Sequence, residues 1–182
     1  MIKTAREYLG CGVCAADLAG AESAYPMSQF MELFQNTRRL DMPFTIHAGE
    51  CGSVQNVIDS VSAGAGRIGH GIALKGHYRI QRELAERGTG IEMCPISNLQ
   101  TKAVNSTAEY PIREFLNAGL KVSINTDNRT VSNTSLVKEL QFIQTQYGIR
   151  DEEILLLMKN AVDTAFASED EKERLYSELQ IS

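Results

Sequence analysis

No run in these 182 residues is apolar for long enough to span a bilayer, and the first residues carry no signal-peptide core. A membrane protein is thereby set aside, and the cytoplasm is the expected compartment. No stretch is strongly basic, and the net charge is −5. That balance argues against nucleic acid or a membrane surface as a partner. The four cysteines, Cys11, Cys14, Cys51 and Cys94, make no secreted disulfide framework. Cys11 and Cys14 do form a C-x-x-C pair, but there is no second pair and no adjacent basic residue. They are expected to be buried small hydrophobes rather than a redox or zinc site. There is no G-x-G-x-x-G and no P-loop, so the Gly-rich signal of a nucleotide binder is missing. Linkers and low-complexity segments are absent too. Histidine is scarce: His47, His70 and His77 are all there is.

What is present is a hydrophobic content of 43%, enough for one domain over 1–182 with a sizeable core. The most informative stretch is Phe44-Thr45-Ile46-His47-Ala48-Gly49-Glu50. Its apolar, β-branched start reads as a buried strand that stops where the polar residues begin. The strand delivers His47 to its C-terminal end, and the turn can swing Glu50 beside it. A neutral imidazole is a zinc ligand, and a nearby carboxylate can move protons. A core histidine followed by a surface glutamate is the plainer alternative.

The rest of the chain alternates. Met1 to Leu9 reads as the tail of a helix, and Val13 to Leu18 as a short strand closing on Asp17-Leu18-Ala19-Gly20-Ala21-Glu22. Helical spacing follows over Met27 to Leu40, with Phe30, Leu33, Phe34 and Thr37 sharing a face. Val54, Val57, Ile58 and Val61 mark the next helix, and Arg67 to Gly71 is a brief strand ending at His70. His77 to Arg87 is helical, and Gly90 to Met93 is a strand running into Cys94-Pro95-Ile96-Ser97-Asn98. Pro111 to Ala118 is a helix opened by proline. Leu120 to Asn125 is a strand ending in Thr126-Asp127-Asn128. Ser135 to Tyr147 is a helix with Leu136, Leu140 and Ile143 in line, and two more helices lie near Asp151 to Phe166 and Glu169 to Leu179. His77, among Lys75, Tyr78 and Arg79, reads as a solvated surface residue.

Strict alternation of strand and helix means a parallel sheet with right-handed crossovers. A doubly wound sheet and a (β/α)₈ barrel both fit that alternation. The polar residues favour the barrel, because each strand carries its His, Asp, Cys or Ser/Asn at its C-terminal end, where barrel enzymes assemble their sites.

Five segments in this order resemble the motifs of the adenosine deaminases of the metal-dependent amidohydrolase superfamily. They are Asp17-Leu18-Ala19-Gly20, His47-Ala48-Gly49-Glu50, Gly69-His70-Gly71, Cys94-Pro95-Ile96-Ser97-Asn98 and Ser123-Ile124-Asn125-Thr126-Asp127. The resemblance implies zinc-dependent hydrolysis of adenosine to inosine and ammonia on a (β/α)₈, or TIM, barrel. It implies that His47 and Asp127 are zinc ligands. Glu50 is then the acid that protonates purine N1 as water adds at C6, and His70 holds that water and assists its deprotonation. The Gly20 backbone N–H becomes the donor to purine N3. Asn128 stands where the family often has a second aspartate that contacts N7, and its amide can donate an N–H there instead. Deaminases of adenine or AMP are the nearest enzymatic alternatives, and a half-barrel acting as an interaction module is the alternative outside enzymes.

One family feature is not found. The barrel's first strand carries an H-x-H pair that gives two further zinc ligands, and no such pair occurs here. By the family pattern the chain holds about the last five strands of eight, the C-terminal portion of a barrel that usually takes about 250 residues. Truncation, completion by another chain and a non-catalytic remnant all stay open. The expected partners are a small-molecule purine nucleoside and, for the exposed barrel edges, either a second copy or the missing N-terminal segment.

Overall fold

The computed structural model describes residues 1–179. Its centre is a parallel sheet of five strands: β1 (Ala16–Leu18), β2 (Phe44–Ala48), β3 (Arg67–His70), β4 (Gly90–Met93) and β5 (Lys121–Ile124). Spatial order equals chain order, β1-β2-β3-β4-β5, and every neighbouring pair is parallel. Right-handed crossovers that always step the same way put their helices on one face of the sheet. A doubly wound sheet would reverse direction part-way. The chain therefore has the fold of five consecutive units of a (β/α)₈ wall.

The helices are α1 (Ile2–Glu7), α2 (Met31–Arg39), α3 (Val54–Ala63), α4 (Tyr78–Arg87), α5 (Pro95–Gln100), α6 (Ile112–Asn117), α7 (Arg129–Ser132), α8 (Leu136–Tyr147), α9 (Asp151–Asp163) and α10 (Glu169–Leu179). Local chemistry sets several ends. Ser53 and Ser135 cap α3 and α8 by accepting the N–H of Asn56 and Lys138. Gly64, Gly88 and Gly148 close α3, α4 and α8 in the left-handed conformation.

The two faces of the sheet differ because strand residues alternate. Ile46, Ala48, Ile68, Ile91, Met93 and Val122 are buried in one core with Val57, Leu84, Ile112, Phe115 and Leu157 from the helices. Between them stand Thr45, His47, Gly69, Glu92 and Ser123, adjacent in the ladder through Thr45↔Arg67, His47↔Gly69, Gly69↔Glu92 and Glu92↔Ser123. Here the Thr45 hydroxyl donates to Glu92 Oε2 at 3.0 Å, and Arg67 Nε lies 3.0 Å from Glu92 Oε1. The second row is the polar inner side of the wall, and its C-terminal end is where the site forms.

Some sequence expectations are corrected. Cys11 and Cys14 are exposed, not buried. Cys11 lies in a turn closed by the Leu9–Val13 bridge and shaped by Gly10 and Gly12 at φ 79° and 101°, and Cys14 comes just after it, ahead of the sheet. This turn also shortens the expected first strand to three residues. Leu33 is 43% exposed. Phe30 belongs to a separate 3₁₀ turn, Met27–Phe30, and packs half-buried against the core, while only Phe34 and Thr37 of α2 are fully buried. Leu136 is likewise exposed, at the start of α8. His77 is exposed at the N-terminus of α4, as expected.

Candidate active site

His47 and His70 leave the ends of adjacent strands and meet. Their rings sit edge to face, with centroids 4.9 Å apart, and His70 Nε2 lies 3.3 Å from His47 Nδ1. The ring of His47 lies across Gly69, where a Cβ would come within 2.8 Å of its Cδ2. His70 is 2% exposed and has φ 66°. A non-glycine residue held there is strained, and such strain collects at functional sites.

The protonation of His70 follows from its partners. Asn98, fully buried on α5, offers its Nδ2 to His70 Nδ1 at 2.9 Å. Asn98 Oδ1 meanwhile accepts from the Cys94 N–H and the Tyr110 hydroxyl, each at 3.4 Å. An amide nitrogen only donates, so Nδ1 of His70 is the acceptor and its proton sits on Nε2. That N–H faces His47 Nδ1 and, at 3.6 Å, Glu50 Oε2. Burial holds the His70 pKa below its ordinary value, and His47 adds to this. The nearby carboxylates of Glu50 and Asp127 oppose it.

Glu50 follows β2 in a turn and accepts from the Thr101 hydroxyl at 3.0 Å through Oε1. Asp127 follows β5 at φ 53°, and its Oδ2 accepts from the Ser97 hydroxyl at 2.6 Å. His47, His70 and Asp127 share a cavity of about 130 Å³ with Gly69, Glu92, Cys94 and Asn125. Burial and the neighbouring carboxylates push the Cys94 thiol up, which keeps its proton in place. His47 also borders a second cavity of about 110 Å³, beside Gly20, Glu22 and Tyr25.

Of the residues named from sequence, His47, His70 and Asp127 thus line one cavity, Glu50 stands beside His70, and Gly20 lies across His47. Asn128 is exposed and lines neither cavity. Its Oδ1 caps α7 by accepting from the Thr130 and Val131 N–H groups at 3.1 Å. Three participants carried no sequence role: Glu22, Asn98 and Gly69. Each lies inside a quoted motif or beside a named residue, but its task depends on which strands are neighbours.

Comparison with known proteins identifies the family and the fold. The family model described as adenosine deaminase matches residues 1–181. An adenosine deaminase of Enterococcus faecalis is 45% identical over 179 residues, covering 98% of this chain and 53% of that protein. The chain belongs to the adenosine deaminase family. It spans about half the length of the curated relatives it matches. Among solved structures, an adenine deaminase from Arthrobacter aurescens superimposes with a TM-score of 0.88 at 25% identity, over 98% of this chain and 57% of that one. An amidohydrolase from Burkholderia ambifaria with bound zinc has the same fold, with a TM-score of 0.89 at 22% identity over 99% and 52%.

The donor types of this segment suit zinc, which takes imidazole and carboxylate. Their number does not make a closed site. Among the described residues there is no group of three or more His, Cys, Asp or Glu side chains placed to hold a metal ion. A catalytic zinc takes three protein ligands and leaves one position open. No helix among the described residues is long and apolar enough to cross a membrane.

Proposed function

We propose that this chain supplies the proton-handling half of a zinc-dependent adenosine deaminase, converting adenosine to inosine and ammonia. The observation that carries the reading is the joint placement of His47, His70, Asp127 and Glu50 at the C-terminal ends of β2, β3 and β5, within a chain of this family. Zinc would supply Lewis-acid activation of water. His47 and Asp127 are the donors this chain would contribute, and the rest of the ligand set would come from outside the described residues.

The chemistry at the purine is then divided among the chain's own groups. Glu50, protonated, donates to N1 and draws electrons from C6. His70 presents its Nε2–H to the attacking water and holds it by donating a hydrogen bond, and the Asp127 carboxylate in the same cavity takes the proton that the water gives up as it adds. Gly20 offers its backbone N–H to N3, and the Asn128 amide Nδ2 is the donor available for N7. The new C–O bond forms at C6, the C6–N bond breaks, and ammonia leaves with the proton relayed to it. Adenine is the second substrate to test, since the Arthrobacter structure is that of an adenine deaminase.

The test is Glu50→Gln in a deaminase of full family length that carries this segment. An amide of the same shape cannot give the proton to N1, so kcat is expected to fall at least ~10²-fold, as for loss of a general acid. Zinc content should stay as in the parent. Retention of most of the adenosine turnover would remove Glu50 from the reaction.

A further inference from the structure

The turn that carries Glu50 is held by a second, buried glutamate. Glu22 follows β1 and is 8% exposed. Its Oε1 accepts the Gly49 N–H at 2.6 Å and the Asn56 side-chain amide at 2.8 Å. Its Oε2 accepts the N–H groups of Glu50 at 3.0 Å and Cys51 at 3.1 Å. Three successive backbone N–H groups thus converge on one carboxylate, an anion-binding nest filled from within the chain. The nest needs Gly49 at φ 77°, and a Cβ there would come within 2.8 Å of Val57. Asn56 is itself buried and fixed, because its Oδ1 accepts the Met27 N–H at 2.8 Å.

We propose that Glu22 is the positioning residue for Glu50, fixing the turn 49–51 so that the Glu50 carboxyl stands beside His70 and the substrate space. The proposal rests on the assignment of Glu50 as the acid. Glu22 borders the cavity next to His47 but is fully engaged by its four donors, so its work is done through the loop. The requirement is for two acceptor oxygens. A glutamine at this place has one acceptor and one NH₂ group. Whichever way the amide turns, two donors face a donor, and one end of the turn is released.

Two measurements on Glu22→Gln test this. In the 182-residue chain, hydrogen exchange of the Gly49, Glu50 and Cys51 amides should quicken by ~10-fold or more, with β3 and β4 unchanged, since each lost bond to a charged acceptor frees a local opening. In a deaminase of full family length, kcat should fall ~10²-fold with KM and zinc content nearly unchanged, as for loss of the acid itself. Combined with Glu50→Gln, the second substitution should cost nothing further, because there is no acid left to position. Independent, multiplying losses would show a merely structural role and overturn the proposal, as would fast exchange with normal kcat. Should Glu22→Gln fail to fold, Glu22→Asp keeps the charge but shortens the reach, and a wild-type kcat together with wild-type exchange in that variant overturns it equally. If the parent enzyme deaminates no aminopurine, the assignment of Glu50 falls on its own. The exchange result then decides whether Glu22 holds the turn, and unchanged exchange ends the proposal.

Discussion

An absent methyl group sets the place of His47. Its ring occupies the space that a Cβ on Gly69 would fill, on the neighbouring strand. In Gly69→Ala the imidazole must swing away or the strands must part, an overpacking cost of about 1–3 kcal/mol. Urea denaturation of the chain should show that loss of stability, and a full-length deaminase bearing the change should purify with less zinc. Unaltered zinc and stability would mean that the ring has room to move. The same residue marks what sequence could and could not tell. His47, His70, Asp127 and Glu50 were legible because each polar group closes an apolar, strand-like run. Gly69 reads only as a small residue in Arg67-Ile68-Gly69-His70 until the β2–β3 register places an imidazole against it. Glu22 and Asn98 were hidden for the same reason, since their partners lie 27 to 29 and 28 residues away.

Short elements were the least legible part of the fold. Sequence reading ended β4 at Met93 and gave no element to Cys94-Pro95-Ile96-Ser97-Asn98, whereas Pro95–Gln100 forms α5 with proline in its first turn. Six residues are too few to show a 3.6-residue period. What fixes α5 is also distant: Glu139 of α8, fully buried, accepts the Ile96 N–H at 3.1 Å through Oε2, and its Oε1 has no hydrogen-bond partner. Burial pushes the Glu139 carboxyl above the ordinary carboxylate range, against the pull of the Ile96 N–H. The sign of the consequence follows from linkage. Below the ordinary range, both folded and unfolded states hold the proton, and there is no penalty. As pH rises through that range the unfolded chain releases its proton first, and stability falls until the folded-state value is passed. Glu139→Gln keeps an acceptor for Ile96 and has no proton to lose, so its stability should decline less than that of the parent as pH rises from acid to neutral. Parallel denaturation curves for the two proteins at a series of pH values test this, and identical pH dependence would refute it. The longer helices α3, α4, α8 and α10, by contrast, appeared where the sequence reading put them.

At the scale of the whole molecule, β1 and β5 each have one sheet neighbour among the described residues. Around α8, α9 and α10 runs an apolar groove of about 860 Å³, lined by Leu136, Leu155, Met158, Leu175 and Leu179 among others. Open strand edges and apolar patches favour association. The 182-residue chain by itself is therefore expected to form oligomers and, with zinc added, to turn over adenosine negligibly. Light scattering and an adenosine absorbance assay on the purified chain measure both, and a monodisperse, active monomer would contradict both expectations. That five wall strands succeed one another was readable from the alternation, and the barrel reading carried with it that spatial order would copy chain order. This copying bears on how the chain folds during synthesis. Each strand pairs with the one made just before it, so no pairing waits for a distant segment, and the entropy of closing each loop stays small. As the chain emerges from the ribosome, the β1–β2 pair can form before β3 exists and serve as its template. The wall grows from one end like a course of bricks, and Glu22 can already hold the 49–51 turn in its final shape while the residues that become β5 are still unmade.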